Sequence, residues 1–187
     1  GGGPVEGIRQ ITPHLRKLGV STTVACLDPP ESAWLEDQTI RSVALGPVTG
    51  SYGFKFGLPE KIRSLAEKKD AVIIEGLWQY HSLATWQALK ATGVNYFVYP
   101  HGMLDPWFKE TYPIKHLKKS IYWRWGDYRV LRDATAVLFT TEQEMMLARE
   151  TFNKYKVTEK VVGFGTSEPP GNIEAQRTEF FERFPHL

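Results

Sequence analysis

Two short stretches hold the residue types that could do chemistry. One is Tyr99-Pro100-His101-Gly102-Met103-Leu104-Asp105-Pro106-Trp107, where a histidine, a carboxylate and a tryptophan sit among helix-breaking residues. The other is Glu75-Gly76-Leu77-Trp78-Gln79-Tyr80-His81, again an acid, aromatic rings and a histidine. An imidazole can donate, accept or carry charge near neutral pH. Aromatic faces stack on sugars and bases, while acids and amides accept from their hydroxyls. A third stretch, Gly1-Gly2-Gly3, precedes Pro4, which suits the first turn of a helix. Bare glycine amides at a helix N-terminus form an anion site that a phosphate can approach closely.

Each stretch also has a plain reading. His101 could cap a carbonyl in a turn, and the glycines could be a flexible start. They match neither the Gly-x-Gly-x-x-Gly fingerprint nor a Walker sequence. A metal site is not expected, because the five histidines are scattered and the lone cysteine cannot build a zinc centre. No nucleophile elbow supports a serine triad either.

These residues need strands and helices to aim them, and the chain supplies both. Its 187 residues are 42% hydrophobic and 24% charged, enough for a real core. A net charge of +2 argues against a nucleic-acid binder as a whole. Cys26 alone excludes an internal disulfide and fits a reducing, cytoplasmic setting. No apolar run reaches about 18 residues, so no spanning helix is expected, and there is no secretory signal pattern.

Ile8, Ile11, Leu15 and Leu18 repeat at helical spacing up to Gly19, with Pro13 expected to bend the helix. Strands are expected at 22–27, 40–45, 71–75, 96–99 and 136–140, with a last one at 160–164. Ala71 to Ile74 is a continuous apolar run, as in a strand covered on both faces. Helices are expected at 59–69, 82–92, from about 114 to 128, and from 142 to about 152. This alternation predicts an α/β fold, a Rossmann-like parallel sheet of about six strands with helices on both faces. In such a sheet ligands bind beyond the carboxyl ends of the strands, where His101 and the Glu75 loop fall. A first strand is expected upstream of Gly1.

From Lys109 to Arg132 there are seven basic residues and two acids, so this segment nets +5 (7 − 2) and the remainder −3 (2 − 5). Ile114, Leu117, Ile121, Trp125 and Tyr128 share one helical face and are expected to point into the core. That leaves Lys115, Lys118, Lys119, Tyr122 and Trp123 to face an anionic membrane surface. The plain reading is a solvated basic face.

Taken together, Gly2-Gly3-Pro4-Val5-Glu6-Gly7-Ile8-Arg9, Gly76-Leu77-Trp78 and the stretch from Tyr99 to Trp107 carry a resemblance, joined by Tyr128 to Ala134 and Phe139-Thr140-Thr141-Glu142. The chain resembles the N-terminal domain of retaining, family-four-type GT-B glycosyltransferases of bacterial polysaccharide pathways. The resemblance implies a nucleotide-sugar donor, a glycan or polyprenyl-linked acceptor, and no metal or other cofactor. It implies donor-diphosphate contacts at Gly2 and Gly3 and a catalytic His101 beside the transferred sugar. Glu75, Trp78, Tyr80, Met103 and Asp105 are then the candidate acceptor or sugar contacts. Residues 1–165 would be the acceptor-side domain, and 166–187 the interdomain linker and the start of a truncated donor-side domain. Such a fragment would be inactive by itself, and its setting would be cytoplasmic or peripheral on the inner membrane face. A non-catalytic glycan-binding module and a sugar–nucleotide epimerase remain the alternatives.

Overall fold

The computed structural model describes residues 3–37, 39–163, 165 and 171–186. Helix α1 (Gly3–Lys17) begins with Pro4 in its first turn and holds Pro13 inside it. Strands β1 (Val24–Cys26) and β2 (Ser42–Ala44) follow. Next come α2 (Leu58–Ala66), β3 (Ala71–Glu75), α3 (Tyr80–Leu89) and β4 (Asn95–Tyr99). Three helices, α4 (Trp107–Thr111), α5 (Pro113–Trp125) and α6 (Asp127–Arg132), lead to β5 (Ala136–Phe139). The chain continues with α7 (Glu142–Thr151), β6 (Glu159–Val161) and α8 (Ile173–Arg183).

All strand pairs are parallel, and helices alternate with strands as expected. The six strands, however, form two sheets rather than one. Among the described residues β1 pairs only with β2, and the other four run in the order β3-β4-β5-β6. The first two strands are also shorter than their apolar runs suggested, three residues each. Position 164, expected in the last strand, and 166–170, expected in the linker, lie outside the described residues.

β5 is buried at all four positions, because β4 and β6 flank it and helices cover it. Val98, Val137, Phe139, Val130 and Leu131 are fully buried around it. Each large apolar side chain so buried contributes roughly 1.5–3 kcal/mol. β3 behaves differently from its sequence. Despite the unbroken run Ala71 to Ile74, it is an edge strand, and Ile73 remains 52% exposed.

The expected helix from 114 to 128 is two helices. Gly126, at φ −107° and ψ −106°, separates α5 from α6, and any side chain there would run into the Tyr122 ring. The facing of α5 is also the reverse of that expected. Trp123 is a core residue, 3% exposed, with its indole N–H donating to Lys154 O at 2.9 Å. Ile114, Leu117, Ile121 and Trp125 lie on the outside instead. Tyr128 alone of that set is buried, and it belongs to α6.

Candidate functional site

β3 and β4 lie side by side with Glu75 opposite Tyr99, so their C-terminal tips open at one level. Pro100 cannot extend the ladder, and the chain turns sharply at both tips. Both turns use a left-handed residue that is not glycine: Trp78 at φ 70° and His101 at φ 50°. Among the described residues these are the two such cases. Holding a residue there costs on the order of 1–3 kcal/mol and persists only where surrounding contacts enforce it.

The contacts enforcing each turn are specific. Gly76, at φ 89°, donates its amide to Tyr99 O at 2.8 Å, tying one tip to the other. Leu77 N–H points at Met103 Sδ at 3.2 Å, and Trp78 Nε1 donates to Met103 O at 3.3 Å. The Trp78 amide donates to Asp127 Oδ2 at 2.7 Å, while the Ser82 hydroxyl donates to Asp127 Oδ1 at 2.7 Å. At the second tip, Gly102 N–H donates to Glu144 Oε1 at 2.7 Å. The other oxygen of Glu144 accepts from Thr140 N and Oγ1 at 2.9 and 2.8 Å.

The juxtaposition at the centre is Glu75 with His101. Glu75 Oε2 lies 2.5 Å from His101 Nε2, with the two side chains 25% and 14% exposed. The imidazole stacks on the Tyr99 ring, with centroids 5.4 Å apart and planes 17° from parallel. A carboxylate on one ring nitrogen fixes the orientation of the imidazole, and stacking restrains it further. The result is a part-exposed, pre-oriented histidine at a strand tip.

The other candidate residues divide into groups. Met103 belongs to the joint between the tips. The Trp78 ring packs among Tyr122, Trp123 and Phe152 at 6.4, 6.0 and 5.6 Å, with Lys119 Nζ 4.4 Å from its centre. Asp105 Oδ1 accepts from Trp107 N at 2.8 Å, capping the short α4. It also lines a shallow cavity of about 220 Å³ with Gly102, Thr141, Gln143, Glu144 and Leu147. Tyr80 sits apart from His101, its ring against Phe54 and Tyr52 at 4.9 and 5.7 Å. His81 is tied to the backbone, 3.1 Å from Glu75 O, and burial pushes its pKa down. Gly3 opens α1 with open space around its Cα, whereas Gly2 lies outside the described residues.

Five further residues contribute that the sequence did not place at this site. Asp127 is fully buried, and burial pushes its carboxyl up to about 6 despite the Ser82 and Trp78 donors that lower it. Lys119 is pulled the other way: burial lowers its pKa, partly offset by the charge of Asp127. Tyr52 and Tyr122 share a hydroxyl contact of 2.8 Å that closes the side of the first tip. Glu144 had a visible signature, since Thr141-x-x-Glu144 is a capping box at the start of α7. Thr141 does cap the helix, accepting from Glu144 N at 3.1 Å, but the glutamate side chain reaches across to Gly102.

Among the described residues no three of His, Cys, Asp and Glu converge as metal ligands. Nor is any described helix long and apolar enough to cross a membrane. Residues 2–162 match the profile of the glycosyl transferase 4-like domain. No curated protein matches the sequence at a significant level.

Proposed function

The chain belongs to the glycosyl transferase 4-like domain family, and from that premise we propose that it forms the acceptor-side half of a retaining, metal-independent transferase. The donor is a nucleotide-sugar and the acceptor a glycan or polyprenyl-linked glycan. Residues 1–165 are its acceptor-side domain, and 166–187 lead into the donor-side domain. The observation that carries this reading is the Glu75–His101 pair at 2.5 Å, held at the adjoining tips of β3 and β4. His101 acts on the donor sugar, orienting its hydroxyls or stabilising charge that develops at the reacting centre. It is not a nucleophile. Glu75 positions the ring. The leaving diphosphate meets the amide of Gly3 at the start of α1, where the positive end of a helix dipole favours an anion, and that of its sequence neighbour Gly2.

This reading is tested by a transfer and donor-hydrolysis screen over a nucleotide-sugar panel, using the enzyme with its donor-side domain. His101→Ala is expected to lower kcat by about 10²–10³, the range for a general acid–base or charge-stabilising group. Its melting temperature should stay close to that of the wild type. Unchanged turnover removes the assigned role of His101. Glycan binding without turnover of any nucleotide-sugar makes the protein a binding module. Conversion of the donor sugar without transfer makes it an epimerase.

A further inference from the structure

α5 is built the wrong way round for a helix of a free-standing surface. Its inward side carries His116, Lys119, Ser120, Tyr122 and Trp123, of which Trp123 alone is buried. The His116 ring stacks on Phe152 at 5.0 Å, and Lys119 lies over Trp78 and Phe108 at 4.4 and 5.2 Å. Its outward side carries Ile114, Leu117, Ile121 and Trp125, which are 76, 63, 65 and 65% exposed. Their spacing places them along one stripe. An exposed apolar stripe of this length marks a surface that something covers.

The charges beside the stripe say what covers it. α5 reads Pro-Ile-Lys-His-Leu-Lys-Lys-Ser-Ile-Tyr-Trp-Arg-Trp, with four Lys or Arg residues and no acid. Lys119 is turned inward, so Lys115, Lys118 and Arg124 are the cations that accompany the stripe outside. Trp125 ends it with its ring under the Arg129 guanidinium, 5.4 Å away. Apolar residues bordered by cations, with a tryptophan at one end, suit a helix lying in the headgroup region of an anionic bilayer. We propose that α5 docks this protein on an anionic lipid surface through Ile114, Leu117, Ile121 and Trp125, with Lys115, Lys118 and Arg124 pairing with headgroups. Tyr122 and Trp123 face the body of the protein and make no lipid contact. The inference stands apart from the sugar-transfer reading, because its readout is binding to lipid.

Co-sedimentation of the 187-residue chain with vesicles of phosphatidylcholine alone, and with added phosphatidylglycerol, decides it. Wild type is expected to sediment with the anionic vesicles only. A basic residue near such a surface is worth roughly fivefold in partitioning. Changing Lys115, Lys118 and Arg124 to Glu should therefore weaken binding by at least a hundredfold, since reversal also adds repulsion. Changing Leu117, Ile121 and Trp125 to Ser should weaken it at least tenfold with the charge untouched. A control with Lys61, Lys68 and Lys156 changed to Glu carries the same net charge change elsewhere and should still bind. All the substituted side chains are exposed, and thermal melts monitored by circular dichroism verify folding. The single changes Leu117→Ser and Trp125→Ser, each at least threefold weaker, serve if a triple variant fails to fold. Equal binding by the serine variants, equal loss in the control, or no binding by wild type overturns the proposal. So does a wild-type dimer in light scattering that the serine changes dissociate, because the stripe then belongs to a second copy.

Discussion

At the tip of β3, Trp78 is held left-handed with its amide on Asp127; at the tip of β4, His101 is held left-handed with the next amide on Glu144. Both bonds measure 2.7 Å, and both carboxylates come from well downstream in the chain. Their surroundings differ. Asp127 is sealed in the core at the start of α6, receiving neutral donors from Trp78 and Ser82. Glu144 is half-buried in the first turn of α7, beside the shallow cavity. A carboxylate in the core resists ionisation, whereas one at the rim stays near water. The first turn is thereby coupled to the stability of the whole domain, and the second to the seating of one helix beside the site.

Acidity gives the largest way to separate the two. The carboxyl of Asp127 rises from 3.8 to about 6 on folding, so the folded protein holds this proton more tightly than the unfolded chain. The stabilisation is fully present below 3.8, is lost as pH rises through 6, and is flat above that. The difference is about 3 kcal/mol, at 1.36 kcal/mol for each pH unit. Asp127→Asn keeps an acceptor for the Trp78 amide and cannot ionise. Urea unfolding across this pH range should show wild type losing that stability relative to the Asn variant. Parallel curves for the two proteins would mean that Asp127 is not buried as a titrating group.

Next in size is Glu144→Ala, which strips the acceptors from Gly102 N–H and both Thr140 donors. Water can replace part of this at a half-buried site, so a loss of about 1.5 kcal/mol is expected. Turnover should fall further than stability, because the His101 turn loosens. Glu144→Gln, with a single acceptor oxygen, should recover only part. A variant as active as wild type would make Glu144 a helix cap and nothing more. The smallest effect expected is from Gly76→Ala, about 1 kcal/mol in a denaturation midpoint, since φ is 89° and the new methyl would lie 3.1 Å from Met103 Cε. A neutral result there would show that Met103 yields easily and that the joint between the tips is loose.

The strands that carry the site were legible in the sequence because β-branched and aromatic runs ending in Pro100 or Gly76 have few other uses. The placement of His101 and Glu75 beyond neighbouring strand tips followed from the fold class, and the structure brings them into contact. The division of the strands into two sheets was not legible, since an apolar run states that a strand exists but not what lies beside it. Ile73 shows the same limit, apolar in sequence yet half-exposed on an edge. For α5 the periodicity of Ile114, Leu117, Ile121 and Trp125 was real, but periodicity names a face without naming its neighbour. Asp127 was out of reach for another reason: its role exists only when the turn at Trp78 is brought against it, 49 positions away.

The pairing register of β3 with β4 has a consequence for how this protein is made. Glu75 lies opposite Tyr99 in that register, so the Glu75–His101 contact comes into being when two strands joined by α3 zip together. Synthesis proceeds from the N-terminus, and both partners of this contact are translated before Asp127 and Glu144. The two acceptors that hold the tips, on Asp127 and Glu144, are therefore the last of these parts to be translated, and the two turns do not both have their full set of hydrogen bonds until residue 144 is in place.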